Sequence, residues 1–415
     1  MRYSEKYRIP KRYGAFSPVT GLVLLLAALL LPAGESHAVL EDFSPYAYTR
    51  VLYDSNVFRL AGDNEAITVL GDTNRDDTIA YLGAGLKSDL KLSRQHLFLD
   101  AEVTRAKYDN FSELDHTRIK GRAAWGWRVG NLWSGNLGYL HRRELTSFNQ
   151  RTTPGKDMRT TQTVYFDAGY QIHPDLAVVG VLNHIETSYQ DRDRLDRDSN
   201  AAQIEFQYKN TLNTKVGIRA KFTDFELKKQ QDVGGVLVNN DYKETEISGV
   251  FYWQGTAKSS FEARLGYTSL KYDELDERDY EGTSGRLTYF WAVTGKTRLN
   301  IAAWRETSSL ANEITTYVLS KGISIEPSWS VTPKVTVKGT VSYKNEDFKG
   351  ENGIRAALGQ EKRDDDTWLY RLAASWKPRD FLDLTLAYRK KERDSSVDSS
   401  DYDDNQIEGR LRISF

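Results

Sequence analysis

The chain ends on QIEGRLRISF, Gln406–Phe415. Ile407, Gly409, Leu411, Ile413 and Phe415 share one parity; Glu408, Arg410, Arg412 and Ser414 share the other. Successive side chains of a strand point to opposite faces, so this period of two predicts a strand with one apolar and one polar face. Which face is the outside depends on whether the pattern recurs.

It recurs from Tyr46 onward. In TKVGIRAKF, 214–222, Val216, Ile218, Ala220 and Phe222 oppose Lys215, Gly217, Arg219 and Lys221. IKGRAAWGWRV, 119–129, sets Ile119, Ala123, Trp125, Trp127 and Val129 against Lys120, Arg122 and Arg128. Eighteen such segments can be placed, from 46–53 to 403–415, among them 161–172, 241–253, 314–327 and 366–376. The connections alternate short and long. HPD at 173–175, TGK at 294–296 and SVTP at 330–333 are short; 54–77, 146–160, 227–240 and 347–365 are long. Segments of about ten alternating residues, an even strand number, and turns short on one side and long on the other predict an all-β transmembrane antiparallel up-and-down β-barrel of about 18 strands. Aromatic residues recur at segment ends (Tyr108, Trp127, Trp133, Tyr189, Trp253, Tyr272, Trp291, Trp329, Trp376 and Phe415), where interfacial girdles belong.

Composition agrees. The 415 residues carry a net charge of −1, no Cys and 49 aromatic residues (16 Phe, 9 Trp, 24 Tyr). The near-neutral charge gives no reason to expect a nucleic-acid partner. The absence of Cys excludes a disulfide scaffold and a thiolate metal site. Arg2, Lys6, Arg8, Lys11 and Arg12 precede the apolar run GLVLLLAALLLPAG, 21–34, which is too short to span a bilayer, and small residues at Ser36 and Ala38 follow. This predicts a signal peptide at 1–38, a short periplasmic stub at 39–45 and an outer-membrane barrel over 46–415. Removing 1–38 takes away five basic and two acidic residues and leaves the mature chain at −4.

With the apolar parity facing lipid, the polar parity lines a lumen, and 16 to 18 strands leave an aqueous channel. The inward basic set reads Lys120, Arg122, Arg128, Lys215, Arg219, Lys221, Arg264, Arg286, Arg298, Lys334, Lys338, Arg371, Arg389, Arg410 and Arg412. The inward acids read Asp100, Glu102, Asp167, Glu205, Glu246, Glu262, Glu326, Asp383 and Glu408. That is 15 against 9, a net-basic wall, and basic rings in pores favour anions. The bland alternative is cross-strand pairing that only keeps the lumen wet. Further acids gather in the long loops (273–281, 191–198, 363–366, 399–404), as solvated surface or as cation bridges to lipopolysaccharide. No EF-hand spacing, GxSxG, HExxH or phosphate loop is present, so no metal, cofactor or catalytic residue is expected. In NHIETS, 183–188, Asn183 and His184 point to opposite faces and cannot share a hydrolytic site.

The stretch YAYTRVLYDSNVFRL, 46–60, contains Asp54-Ser55-Asn56-Val57-Phe58-Arg59-Leu60. It resembles the D-[DS]-N-[LV]-F-R-L segment of the exosortase-associated exopolysaccharide biosynthesis outer-membrane barrels of EpsL type. The resemblance implies transport of a newly made polysaccharide across the outer membrane, with periplasmic export components as partners. A terminal Phe415 on the last strand is what such barrels commonly present to the barrel-assembly machinery. By its chemistry the Asp-Ser-Asn run reads as a turn, with Phe58 as an interfacial anchor.

Three functions are therefore carried forward: a polysaccharide export channel, a general or anion-selective porin, and a plugged structural or adhesion barrel acting through acidic loops. The first predicts lumen-facing aromatics such as Phe98, Tyr165, Tyr252, Phe290 and Trp304. The last predicts 54–77 or 347–365 folded inward.

Overall fold

A computed structural model describes residues 43–150, 154–210, 214–233, 236–309, 317–349 and 363–415. Eighteen antiparallel strands form one sheet. They are Phe43–Asp54 (β1), Asp77–Leu92 (β2), Gln95–Tyr108 (β3), His116–Val129 (β4), Trp133–Leu145 (β5), Met158–His173 (β6), Leu176–Tyr189 (β7), Arg197–Lys209 (β8) and Lys215–Leu227 (β9). They continue as Tyr242–Thr256 (β10), Ser259–Tyr272 (β11), Tyr280–Trp291 (β12), Thr297–Ser309 (β13), Tyr317–Thr332 (β14), Val335–Lys349 (β15), Asp364–Arg379 (β16), Leu382–Ser395 (β17) and Tyr402–Ser414 (β18). Each pairs with its neighbours in sequence, and β1 pairs with β18 from Tyr46↔Ser414 to Asp54↔Gln406, which closes the barrel. Phe415 N donates to Pro45 O at 2.8 Å and fastens the last residue to the first strand.

The period-2 reading located every barrel strand and erred at some ends. Pairing runs past the expected turns in β6, β10, β14 and β16, across register shifts at Gln171/His173, Trp253/Thr256, Ser330/Thr332 and Trp376/Arg379. A bulge breaks the alternation that sequence parity follows while the hydrogen-bonded ladder continues. β1 begins at Phe43, so the last three residues of the expected stub are strand, not linker. The expected signal peptide lies outside the described residues. A separate hairpin, Gln231–Val233 with Val236–Val238, sits in the β9–β10 loop.

The apolar parity faces out. Leu82, Val103, Ile218, Phe222, Leu265 and Leu386 are each more than half exposed, as part of a belt of such side chains around the barrel. A belt of that extent is a lipid surface. Trp133, Trp253, Trp291, Trp329, Trp376 and Phe415 are exposed at the short-turn end and form one girdle. Tyr108, Tyr189 and Tyr272 do not belong to a girdle. Tyr189 and Tyr272 are buried, Tyr108 is partly so, and all three stand at the lumenal tops of their strands. Tyr272 packs on Tyr242, and Tyr189 lies beside Arg192. Sequence parity alone cannot separate a strand top that meets lipid from one that meets folded loops.

Candidate functional site

Cross-strand partners in a sheet share a face, so the register assigns the lumen wall. Starting from the row Tyr46, Gly85, Glu102, Lys120, Arg142 and Thr161, the polar parity stays inward around the sheet. Lys120 and Arg122 lie opposite Glu102 and Asp100, and Arg128 opposite Ser134 near the short turns. Arg219 pairs with Glu205 at 2.7 Å and Lys221 with Glu244 at 3.6 Å. Arg264 bridges Glu246 (3.3 Å) and Glu306, and Arg286 reaches the same Glu306 at 2.6 Å. Lys338 faces Ser328, Arg371 stands opposite Arg389, and Arg389 pairs with Asp404 at 2.8 Å. Arg410 and Arg412 lie over the Tyr48 and Tyr46 rings, 4.7 and 3.9 Å from the centroids. These side chains line a common lumen but sit at different heights, as a distributed lining. One recess of about 540 Å³ gathers Glu205, Arg219, Tyr252, Arg264, Arg286 and Glu306.

The sequence reading missed part of the wall. Arg50, Glu244, Glu306, Lys344, Asp365, Lys391, Arg393 and Asp404 also fall on the inward parity. Asp365 and Asp404 belong to acidic runs assigned to loops, yet both are fully buried on the wall. Extending the alternation two or three residues beyond the apolar part of each strand would have found them. Polar residues at a strand top look like loop because the outward face there has also turned polar.

Phe98, Tyr165, Tyr252, Phe290 and Trp304 all face the lumen by register. Several lumenal rings lie flat over a glycine directly across the ladder: Tyr48 over Gly83, Tyr46 over Gly85, Tyr165 over Gly138 and Trp304 over Gly322, where an added Cβ would collide with the ring. Many of the rings also carry a cation. Arg122 lies over Phe98 at 4.9 Å, Arg286 over Trp304 at 5.3 Å, Lys215 over Tyr252 at 5.8 Å and Arg50 over Tyr81 at 3.7 Å. A glycine opposite an aromatic lets the ring settle against the sheet. What the wall then presents are rings whose faces are shared with lumenal cations.

The mouth at the long-loop end is partly covered. The β1–β2 loop carries a short helix, Asp63–Leu70 (α1). Val57, Phe58, Leu60 and Ala66 form a buried cluster with Leu114 of the β3–β4 loop and Phe148 of the β5–β6 loop. Phe58 is 3% exposed and meets Phe111 and Phe148 edge-on, with centroids at 4.8 and 4.7 Å. It is the hub of this cluster and not an interfacial anchor: the turn at Asp54–Asn56 sends it onto the neighbouring loops instead of lipid. The rest of the motif holds that turn. Asn56 N donates to Asp54 Oδ1 at 3.0 Å, Leu60 N to Asn56 Oδ1 at 3.0 Å, and Asn56 Nδ2 to Leu60 O at 2.8 Å. Arg59, at φ 61°, donates to Asn56 O and pairs with Asp54 (2.8 Å) and Asp404 (3.1 Å). Burial works against its charge, but the Asp54 and Asp404 carboxylates prevail and hold the guanidinium pKa above its ordinary value. Farther round the mouth, Asn149 of the β5–β6 loop accepts hydrogen bonds from Tyr402 Oη (2.9 Å) and Arg393 Nη1 (2.6 Å). The segment 54–77 therefore folds onto neighbouring loops at the mouth, while most of 347–365 lies outside the described residues.

Several loop acids have a structural job. Tyr108 N donates to Asp115 Oδ1, Tyr189 N to Asp196 and Tyr272 N to Asp279, each seven residues on; Ser395 N donates to Asp401. In each loop a 3-10 turn lies between the two residues. These carboxylates close their own loops. Among the described residues no group of His, Asp or Glu has the arrangement of a metal cage. Asn183 faces inward opposite Tyr165 while His184 bonds Asn200 at 2.8 Å on the other face, so they form no catalytic pair.

A closed 18-stranded barrel with an apolar exterior, one aromatic girdle and a charged, aromatic lumen is an outer-membrane, porin-like protein. The chain belongs to the family described as "Putative beta-barrel porin 2", whose model matches residues 43–415. Among solved structures it is similar to OccK1 (OpdK) of Pseudomonas aeruginosa, at 14% identity, 91% of this chain, 100% of that chain and a TM-score of 0.50. It is also similar to OccK2 (OpdF) of the same organism, at 11% identity, 90% and 98% coverage and a TM-score of 0.49. No curated protein matches it by sequence.

Proposed function

We propose that the barrel is a channel for an extracellular polysaccharide, moving polymer through a polar lumen whose wall is net basic. The observation that carries this reading is the set of lumenal rings laid flat over glycines with a cation beside them, such as Trp304 over Gly322 with Arg286 at 5.3 Å. Ring faces stack on the apolar faces of sugars, and neighbouring cations attract acidic substituents. Contacts spread over many such positions hold a chain weakly at each, which allows sliding. The likeness of 54–60 to the EpsL-type segment supports the same substrate class, although in this chain that segment acts on the mouth. Partners on this reading are lipopolysaccharide outside, the barrel-assembly machinery at Phe415, and periplasmic components that deliver the polymer.

One observation favours a second reading, a porin for small anions: the loops latched at Asn149 narrow the entrance. Polymer passage requires that cover to move. The test is conductance of the refolded barrel in a planar bilayer, with neutral and anionic polysaccharides added in turn. Export predicts an anion-favouring current that polymer blocks reversibly from the short-turn side. Current unaffected by any polymer, with small carboxylates permeating, would leave the small-anion reading. No current under any condition overturns both.

A further inference from the structure

The β15–β18 wall below the mouth carries more positive charge than its carboxylates neutralise. Lys391 lies on β17 between Arg389 and Arg393, and all three face the lumen because residues two apart on a strand share a face. Across the ladder it meets Leu369 on one side and Asp404 on the other. Asp404 is fully buried and already holds Arg389 at 2.8 Å and Arg59 at 3.1 Å, both on Oδ2. Asp365 is similarly committed, with Arg363 at 2.6 Å and Arg393 at 3.7 Å. Lys344 is matched by Glu346 at 2.7 Å. Lys391 makes no ion pair or hydrogen bond among the described residues, and its ammonium lies 5.2 Å from the Tyr402 ring centroid. Of the charges acting on it most strongly, Lys344, Arg393 and Arg389 repel it and Asp404 attracts it. Next to it, among the described residues, Arg389 Nε is a buried donor and Asp404 Oδ1 a buried acceptor, each without a partner.

A half-buried ammonium among like charges is unfavourable without a counter-ion, and an idle guanidinium donor adds to the cost. Lys391 thus lacks a bonded counter-ion at a defined place, facing the lumen beside Arg393, which holds the loop that carries Asn149. We propose that Lys391, flanked by Arg389 and Arg393, forms a binding site for a carboxylate, the uronate class of sugar acid, at the mouth end of the channel. An anion there supplies a counter-charge and gains a charge-assisted hydrogen bond from the ammonium. The site deepens the export reading and rests on it only for the source of the anion.

The test is calorimetric titration of the refolded full-length barrel in detergent with trigalacturonate, using maltotriose as the neutral probe. Trigalacturonate is expected to bind, and Lys391→Met to weaken it about tenfold, the scale of one charge-assisted contact. Lys391→Arg, which keeps the charge, retains binding and separates loss of the site from loss of fold. Lys107→Met, on the outward face of β3, leaves binding unchanged. Maltotriose is indifferent to all three. Equal affinity in the wild type and Lys391→Met, or no binding of trigalacturonate to the wild type, overturns the site. Binding is read without current, so a barrel that binds the trisaccharide but passes no polymer keeps the site and fails the export reading.

Discussion

Tyr402, first residue of the last strand, donates its hydroxyl to Oδ1 of Asn149, 2.9 Å away and 253 residues earlier in the chain. Asn149 belongs to the β5–β6 loop, so this bond reaches around the mouth to a strand that β5 does not touch. Arg393 holds the backbone carbonyl of the same residue at 2.6 Å. The two bonds tie Asn149 to the last two strands, next to the Phe148 that packs on Phe58.

Tyr402→Phe removes one bond to this loop, worth about 0.5–1.5 kcal/mol, so the open population rises several-fold. Open-channel noise at fixed voltage reads this directly. Fluctuations indistinguishable from wild type would show that the latch does not limit the loop.

Phe58→Ala tests the aromatic cluster. Deleting a buried ring costs about 3–5 kcal/mol where the site cannot collapse. Its two aromatic partners, Phe111 and Phe148, lie in loops, so the loss falls chiefly on the mouth. Trypsin cleavage after Arg59 and Arg75 should accelerate markedly while the barrel's melting temperature stays near wild type. Unchanged protection would mean that the loops are held by other contacts.

Arg59 presents a harsher case. Removing it leaves Asp54 and Asp404, 4% and 0% exposed, without their shared cation. Breaking such a pair costs about 3–5 kcal/mol. Arg59→Ala should lower the unfolding temperature at the β1–β18 seam, and Arg59→Lys should recover only part, since one ammonium cannot serve both carboxylates as a planar fork does. The guanidinium's pKa is raised, so its stabilisation is fully present below the unfolded value and is lost only in strong alkali. Across neutral pH the deficit of Arg59→Ala should be flat; a deficit that vanished there would contradict the pairing.

Gly322→Val tests the lumenal platforms without touching an aromatic residue. A Cβ at this position collides with the Trp304 ring and meets the backbone carbonyl oxygen of Tyr343 at 2.6 Å. The ring must lift from the wall, and the dwell time of a neutral maltooligosaccharide in the pore should fall several-fold, within the ~0.5–1.5 kcal/mol of an aromatic contact. Trp304→Ala should give the same change. A dwell time unaltered in both would remove Trp304 from the sugar path.

The fold was legible because its signal is periodic. Each strand repeats inward and outward positions at a spacing of two, and eighteen repetitions with sorted loop lengths leave few alternatives. The lumen charges were legible for the same reason, down to Arg264 and Arg412. What escaped was aperiodic. Phe58 looked like an interfacial anchor because nothing local says that Phe111 and Phe148 will meet it. Asp365 and Asp404 looked like solvated loop acids because their partners, Arg363, Arg393, Arg59 and Arg389, are brought to them by the sheet and by the turn after β1.

By itself the sequence determined that this chain is a barrel and which face of each strand's apolar stretch meets lipid, since a strand's geometry converts parity into side. Tertiary structure alone decided the mouth: that the first long loop packs on the third, that Asn149 is held by the last two strands, and that Lys391 has no ion pair among the described residues. Those outcomes depend on where separate strand tops stand around a closed ring, and closure brings together residues that no local spacing relates.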